Sequence, residues 1–363
     1  MRSISILLLS LHISHAAWAQ EPSGASTATG ISRIFNPAIS VNGLFLGTLT
    51  SHAFEEEEDS LLIQDHDYEH VLEAGLAVEE VEVQMTSFVD PFLKADLIFA
   101  MEGIEGIELE EGFVTTQGLP SSLMVRGGKF LSAFGKQNIL HTHQFPFVDN
   151  NLANEEIFGH SLNEVGVEGS YLMPLSWYSE VILEILNGDN DNLFNSPEPK
   201  DLAYVGHGKN LWDLSESTTL EIGGSGAFGK NEVEKWSRVI GADLTVKWRP
   251  LRRAKYRGAV FQGEILHRSI QDTLGGEEKD LGFSLLSQFQ FSRRWWIQGR
   301  FDTFDLMGEE EGPWRVSGLL AFVPTEFSAL RFQYNLIQEG EEMEHEGKVQ
   351  LNFTIGSHPA HKY

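Results

Sequence analysis

The sequence predicts an all-β fold: a transmembrane antiparallel up-and-down β-barrel of about 16 strands, with one long loop folded inward. Three observations carry this. Between Asp280 and Ile355 apolar residues recur at every second position, as in Leu281, Phe283, Leu285, Phe289 and Phe291, with Gly282, Ser284, Gln288 and Gln290 in alternate slots. That period marks a strand with one apolar and one polar face. The runs are about 9–13 residues, long enough for a tilted strand to cross a bilayer. The connections alternate between tight turns and longer polar loops, as the two sides of an outer-membrane barrel require.

Residues 1–19 read as a secretory signal peptide, with Arg2, an apolar run from Ile4 to Ile13 and a small-x-small ending at Ala17–Trp18–Ala19. Residues 20–37 form a polar periplasmic lead-in and 357–363 a periplasmic tail containing His358 and His361, with the barrel between them over 38–356. Strands are expected at 38–49, 70–88, 92–102, 107–118, 122–130, 162–173, 176–187 and 202–213. Eight more follow at 217–228, 236–249, 254–267, 280–292, 294–305, 313–323, 327–337 and 345–356. Short turns fall at Asp90–Pro91, Leu119–Ser121, Pro174–Leu175, Leu214–Glu216, Pro250–Arg252, Ser292–Arg293 and Pro324–Thr325, where proline suits a turn and not a central strand. The long set is 50–69, 131–161, 188–201, 229–235, 268–279, 306–312 and 338–344, with 103–106 as its one short member. Trp177, Tyr178, Trp236, Trp248, Tyr256, Trp295, Trp296 and Trp314 lie near strand ends and suit an aromatic girdle at the headgroup layer.

Composition narrows the function. No stretch beyond the leader approaches the ~20 apolar residues of a spanning helix, so helical membrane proteins are excluded. Without cysteine, an exported chain depends on its fold alone. The net charge of −27 argues against nucleic acid, whose phosphates need an excess of Lys and Arg, and favours a surface or pore that attracts cations.

Assigning polar strand slots inward gives the expected pore lining. Its acids are Glu80, Glu82, Asp96, Glu108, Glu110, Glu168, Glu180, Glu184, Glu221, Asp243, Glu264 and Asp302; its bases are Lys94, Arg126, Lys247, Arg300, Arg315 and Arg331. Acid exceeds base two to one, which lowers the energy of cations in a wet lumen unless the charges pair across strands. The longest loop, 131–161, is rich in Phe134, Ile139, Leu140, Phe145, Phe147 and Val148, a composition that packs against something. It is expected to fold into the barrel and narrow it, with His141, His143 and Asp149 near the constriction; an outward cap or a subunit contact is the competing arrangement. His141 and His143 on an extended segment put both imidazoles on one side, so a weakly bound divalent cation such as Zn²⁺ is the cofactor chemistry they suggest. His52, His66 and His70 flank an acidic loop that includes Glu55–Glu58. No nucleotide-binding glycine loop, His-Glu-x-x-His or Gly-x-Ser-x-Gly is present, so no enzyme is expected.

Several segments resemble a family of Gram-negative outer-membrane proteins labelled zinc-regulated outer-membrane receptors, related in plan to porins. They are 35–47 (FNPAISVNGLFLG), 79–99 (EEVEVQMTSFVDPFLKADLIF), 108–120 (ELEEGFVTTQGLP), 126–149 with its RGGKF, FGKQN and HTHQFPFVD blocks, 158–174 ending EGSYLMP, and the terminal HPAHKY. The resemblance implies an outer-membrane barrel associated with metal uptake, with zinc among the metals. Porin analogy adds a homotrimer, and such a barrel meets outer-membrane lipid and the barrel assembly machinery. The expected function is a passive, cation-preferring outer-membrane channel for small solutes or metal ions. The alternative is a non-conducting surface protein whose acidic loops bind metal, lipid or a partner.

Overall fold

The computed structural model describes residues 37–51, 75–103, 106–307, 312–340 and 342–356. The expected leader, the lead-in up to residue 36, the loop carrying Glu55–Glu58, His52, His66 and His70, and the tail with His358 and His361 lie outside them. The first eight strands are β1 (Ala38–Thr50), β2 (Gly75–Asp90), β3 (Leu93–Glu102), β4 (Glu108–Thr116), β5 (Leu123–Leu131), β6 (Asn163–Leu172), β7 (Tyr178–Leu186) and β8 (Ala203–Ser215). The second eight are β9 (Thr218–Lys230), β10 (Trp236–Trp248), β11 (Gly258–Gln271), β12 (Glu277–Ser292), β13 (Trp295–Thr303), β14 (Trp314–Thr325), β15 (Ser328–Glu339) and β16 (Glu342–Gly356). Each pairs with its sequence neighbours, and β1 pairs with β16 from Ser40 opposite Gly356 to Thr50 opposite Glu346, closing the barrel. Closure leaves no free strand edge, which is the condition for a sheet to survive in hydrocarbon.

The two faces of the wall are inverted relative to a water-soluble protein. Leu183 is 64 % exposed, and Ile185, Ile240, Ile297, Phe332 and Val349 also point outward and are exposed. Alternate slots hold Asp243, Glu264, Ser284, Arg300, Ser317 and Gln333, all buried inside. An apolar belt outside and a polar face inside is the arrangement of a barrel set in lipid.

Besides the expected loop at 338–344, where β15 and β16 stay paired out to Glu339 opposite Glu342, the structure differs from the sequence expectation in four places that matter here. The expected loop at 268–279 is a tight turn, because β11 and β12 stay paired out to Gln271 opposite Glu277. Asp272 closes that turn by accepting hydrogen bonds from the Leu274 and Gly276 amides at 2.7 and 2.8 Å. Leu214 and Ser215 belong to β8 and not to the turn that follows it. Trp296 is not part of an outer girdle: it pairs with Gln290 and Ala321, which occupy inward slots, and packs against Leu286, Leu319 and Phe147. Adjacent residues of a strand face opposite ways, so Trp295 and Trp296 cannot both meet lipid. Trp177, Trp236, Trp248 and Tyr256 are exposed, whereas Tyr178 shares the inward face of β7 with Glu180, donating to its Oε2 at 2.7 Å beneath Lys209. The fourth difference is a pair of β-bulges. Leu44 faces Glu80 but Phe45 faces Val78, and Ile98 faces Glu111 but Phe99 faces Leu109, so Glu79 and Glu110 are the extra residues. A bulge breaks the alternation locally. It leaves two consecutive acids, Glu79–Glu80 and Glu110–Glu111, on the inner side.

The connection between β5 and β6 fills part of the interior. It contains a 3-10 turn at Thr142–Gln144 and a helix, α1 (Leu152–Phe158). The outward slots predict the cost of disturbing the belt: Leu183→Arg, placed mid-strand on β7, destabilises the barrel by about 2–4 kcal/mol in a reversible unfolding titration from lipid vesicles. An inward exchange such as Ser317→Thr is expected to change it far less.

Candidate pore constriction

The loop from Ser132 to Leu162 is tied to itself and to the wall at its root. Asn138 donates to the Ser132 and Leu162 carbonyls at 2.9 and 3.1 Å, and its Oδ1 accepts from the Leu162 amide at 2.7 Å. One side chain therefore clamps both ends of the loop. Next to it the Ala133 amide donates to Glu184 Oε1 at 2.8 Å, the Gly135 amide to Ser225 Oγ at 2.9 Å and the Lys136 amide to Glu264 Oε1 at 2.8 Å. Gly135 adopts a positive φ of 61°, which lets the chain turn inward there without side-chain strain. Lys136 also pairs with Glu221. Burial pushes its ammonium down to about 8, against the pull of Asp243 and Glu264.

Two apolar clusters hold the loop body. Phe134, Ile157, Phe158 and Leu162 pack on Leu186, Val205, Val239 and Leu266 on one side, with Phe194 from the next loop. Phe147 and Val148 pack on Leu46, Leu286, Trp296 and Leu319 on the other. Asn151 caps α1 by accepting from the Asn154 amide at 2.9 Å, and Gly159, at φ 74°, ends it. The apolar loop residues that the composition singled out thus meet apolar wall residues inside the barrel.

Charge is divided across the lumen. Strands β13 to β16 present a basic arc, Arg300, Arg315, Arg331 and Lys348, and the loop docks on it through Asp149. Arg300 donates from Nη2 to Asp149 Oδ1 at 2.5 Å, and Lys348 Nζ lies 3.3 Å and Arg315 Nη1 3.6 Å from Asp149 Oδ2. Gln333 and Asn335 each donate to Asp149 Oδ2 at 2.8 Å. Asp302 bridges Arg300 and Arg315, at 2.7 and 2.9 Å. Arg331 donates to the Phe145 and Phe147 carbonyls at 2.6 and 3.2 Å. Burial pushes the Asp149 carboxyl up, but Arg315, Arg300 and Lys348 outweigh it and hold it well below the usual carboxylate range.

A second arc, on β2 to β4 beyond β1, is acidic and receives His141 and His143 of the loop. His141 Nδ1 lies 2.9 Å from Glu110 Oε1 and 3.3 Å from Glu82 Oε2, and its Nε2 lies 3.1 Å from Glu111 Oε2. His143 Nδ1 lies 3.2 Å from the same Glu82 oxygen, and the two rings stack with centroids 5.8 Å apart. Asn42 donates to Glu82 Oε1 at 3.0 Å, and the His143 carbonyl accepts from Asn352 at 3.1 Å. Burial works against the His141 imidazolium, but Glu110 and Glu111 raise it well above the ordinary imidazole range.

Of the residues that the sequence assigned to the interior, Glu80, Glu82, Asp96, Glu168, Glu184, Asp243, Glu264, Arg300, Asp302, Arg315 and Arg331 are buried inside the wall. Arg126 pairs with Glu168, and Lys94 lies 3.0 Å from Asp96. Glu180 pairs with Lys209 at 3.2 Å, and Glu110 and Glu221 are partly buried. Glu108 and Lys247 sit exposed near strand ends, so neither belongs to the constriction. Strict alternation missed Glu79, which accepts from Gln350 at 2.5 Å, and Glu111, which accepts from the Leu131 amide at 2.7 Å. Runs of two acids in an alternating strand are the one trace such bulges leave in the sequence. Lys348, Gln333 and Asn335 were legible as inward slots but became significant only once Asp149 was seen between them.

Loop and wall together form a polar partition across the lumen, anchored at β2 and β4 and, beyond β1, at β13 to β16. A cleft beside it is lined by Gln137, Phe147, Asp149, Gln262, Glu264 and Arg300 and has room for about one water molecule. Fixed charges of both signs beside a narrow passage can sort ions by sign and size.

No family model matches the chain. An uncharacterised protein of Aquifex aeolicus is 28% identical over 343 residues, covering 80% of this chain and 70% of that protein. Solved structures of similar plan include the anion-selective porin of Comamonas acidovorans, with a TM-score of 0.59 at 10% identity over 88% of this chain and all (100%) of that one. The outer-membrane channel DcaP of Acinetobacter baumannii gives 0.58 at 9% identity over 92% of this chain and 100% of that one. The trimer form of OmpT from Vibrio cholerae gives 0.56 at 8% identity over 88% and 100%. At these identities the likeness concerns the fold: the chain has the architecture of outer-membrane porins, and its closed, lipid-belted barrel belongs in the outer membrane.

Removing the central carboxylate tests the dock. Asp149→Ala leaves buried cations without their partner and is expected to cost about 3–5 kcal/mol, read as faster amide exchange across 141–158 with the barrel strands still protected. Because the folded Asp149 carboxyl titrates below its unfolded value, its contribution is complete above about pH 4 and is lost only as pH falls through that lower folded value. Exchange in 141–158 should therefore stay slow at pH 5.

Proposed function

We propose that the chain is a passive outer-membrane channel that prefers cations and admits small solutes or metal ions. One observation carries the preference: the arginines of the basic arc are paired within the fold, while several inward carboxylates around the wall keep a buried oxygen without a hydrogen bond. Asp149, Asp302 and the loop carbonyls occupy Arg300, Arg315 and Arg331. Glu80 Oε1, Glu110 Oε2, Glu164 Oε1 and both oxygens of Asp243 are buried without a hydrogen-bond partner. Such oxygens supply a negative potential along the path that remains beside the loop, and a low-dielectric wall strengthens it. The family resemblance noted in the sequence supports metal ions, zinc among them, as cargo. The porin likeness supports a homotrimer in lipid.

A second reading has its own observation. The loop touches wall residues on both sides of the lumen, and the cleft beside it is narrow, which favours a barrel that binds without conducting. Planar-bilayer recording separates the two. A reversal potential of the cation-selective sign in a KCl gradient is expected; an anion-selective sign, or no conductance at all, sinks the channel proposal. Asp149→Asn uncovers Arg300, Arg315 and Lys348 and should move the reversal potential toward that of anions.

A further inference from the structure

We infer that the junction between the loop and the acidic arc is a binding site for one divalent first-row transition-metal ion, held by Glu80 and Glu82 of β2 and His143 of the loop, with Glu110 of β4 and His141 of the loop bordering it through Glu82.

The donors and their bordering groups come from three separate pieces of chain that only the closed barrel brings together. Two overlapping sets form, Glu80 with Glu82 and His143, and Glu82 with Glu110 and His141, and within each set the donor atoms lie within 4.8 Å of one another. The shorter separations are 2.9 Å between His141 Nδ1 and Glu110 Oε1, 3.2 Å between His143 Nδ1 and Glu82 Oε2, and 3.3 Å between His141 Nδ1 and Glu82 Oε2. A metal with bonds of about 2.0–2.2 Å to nitrogen and oxygen places neighbouring donors about 3–3.5 Å apart, so the 3.2 Å between His143 and Glu82 is an edge of its coordination polyhedron.

A second observation points to a cation as the ligand. Glu80 is 3 % exposed, and its Oε1 has no hydrogen-bond partner. Glu82 is 1 % exposed, and its Oε2 is approached by the two imidazoles. Including Glu111, four carboxylates converge on two rings, so even doubly protonated imidazoles leave the cluster negative. Burying that charge uncompensated is costly, and a bound dication removes the deficit. Mixed imidazole and carboxylate donors suit Zn²⁺ and its first-row neighbours better than Ca²⁺ or Mg²⁺, which take oxygen. The surroundings are built as a second layer: Asn42 fixes Glu82 through Oε1, Thr354 donates to Asn42 at 2.7 Å, and Asn352 holds the His143 carbonyl. Such outer partners orient ligands for a metal. An ion here would also fasten the loop to β2, a second stretch of wall beyond β1 from the Asp149 dock on β13 to β16. The inference does not require conduction.

The test uses the full mature barrel in detergent, stripped with a chelator and titrated with ZnCl₂ by calorimetry, with bound zinc counted after dialysis. One equivalent per chain is expected, with a higher unfolding temperature and slower exchange at 141–145. Glu80→Gln, close to isosteric, should weaken zinc binding by about 10–100-fold while the barrel keeps its heat-modifiable mobility. His141→Ala with His143→Ala should abolish binding, whereas His358→Ala with His361→Ala should leave it intact. Zinc binding that survives Glu80→Gln and the loop-histidine pair unchanged, or that vanishes with the tail pair, overturns the proposal. So does binding that equal CaCl₂ or MgCl₂ removes, or less than a tenth of an equivalent at micromolar zinc. None of these results depends on whether the barrel conducts, so this inference and the channel proposal can fail separately.

Discussion

The interior depends on the seating of one carboxylate. Asp149 sits among Arg300, Arg315 and Lys348, with Gln333 and Asn335 donating to the same group. Without it Arg300 and Arg315 would share Asp302 alone and Lys348 would keep only Glu346, leaving an excess of buried positive charge that is costly to desolvate. With it, the loop gains a fixed height and direction, and the apolar faces of Phe147 and Val148 fall onto Leu46, Leu286 and Trp296. Charge pairing sets the position and apolar burial adds to it, an order suited to a lumen that water reaches.

The consequence is an electrostatic asymmetry that composition alone cannot express. A net charge of −27 describes the whole chain, loops included. What governs an ion inside the barrel is which charges remain after folding has paired the rest. The arginines are engaged by the loop and Asp302, while the two bulges place extra acids at Glu79 and Glu110 on the neighbouring stretch of wall. A bulge is a small local defect, but in a wall with period two it changes which side chains share a compartment. The imidazoles of His141 and His143 arrive at that side, beside Glu82.

The neighbours of known structure show how little this plan says about selectivity. An anion-selective porin shares the fold at 10% identity. Strand number, closure and belt come from hydrogen-bond and lipid constraints that many sequences meet. The sign of the lumen comes from a few side chains and from where one loop lies.

Much of the fold was legible because its signals are local. Alternation and strand length repeat over sixteen strands and connection length over fifteen connections, and lipid and water enforce them residue by residue. They located the strands, their closed order, the outward belt and most inward acids, and the apolar content of 131–161 showed that this segment packs. Local signals failed where a contact spans the chain. Trp296 faces inward because of its register with Gln290 and Ala321, and the turn at 272–276 is short because pairing between β11 and β12 continues outward. The sequence by itself determined a lipid-embedded cylinder with an acidic inner face, since strand periodicity needs no partner to be read. Only the tertiary structure decided that Asp149 would silence the arginines and that His141 and His143 would meet Glu80, Glu82 and Glu110. Those groups lie tens to hundreds of residues apart, and closing the barrel is what brings them within bonding distance.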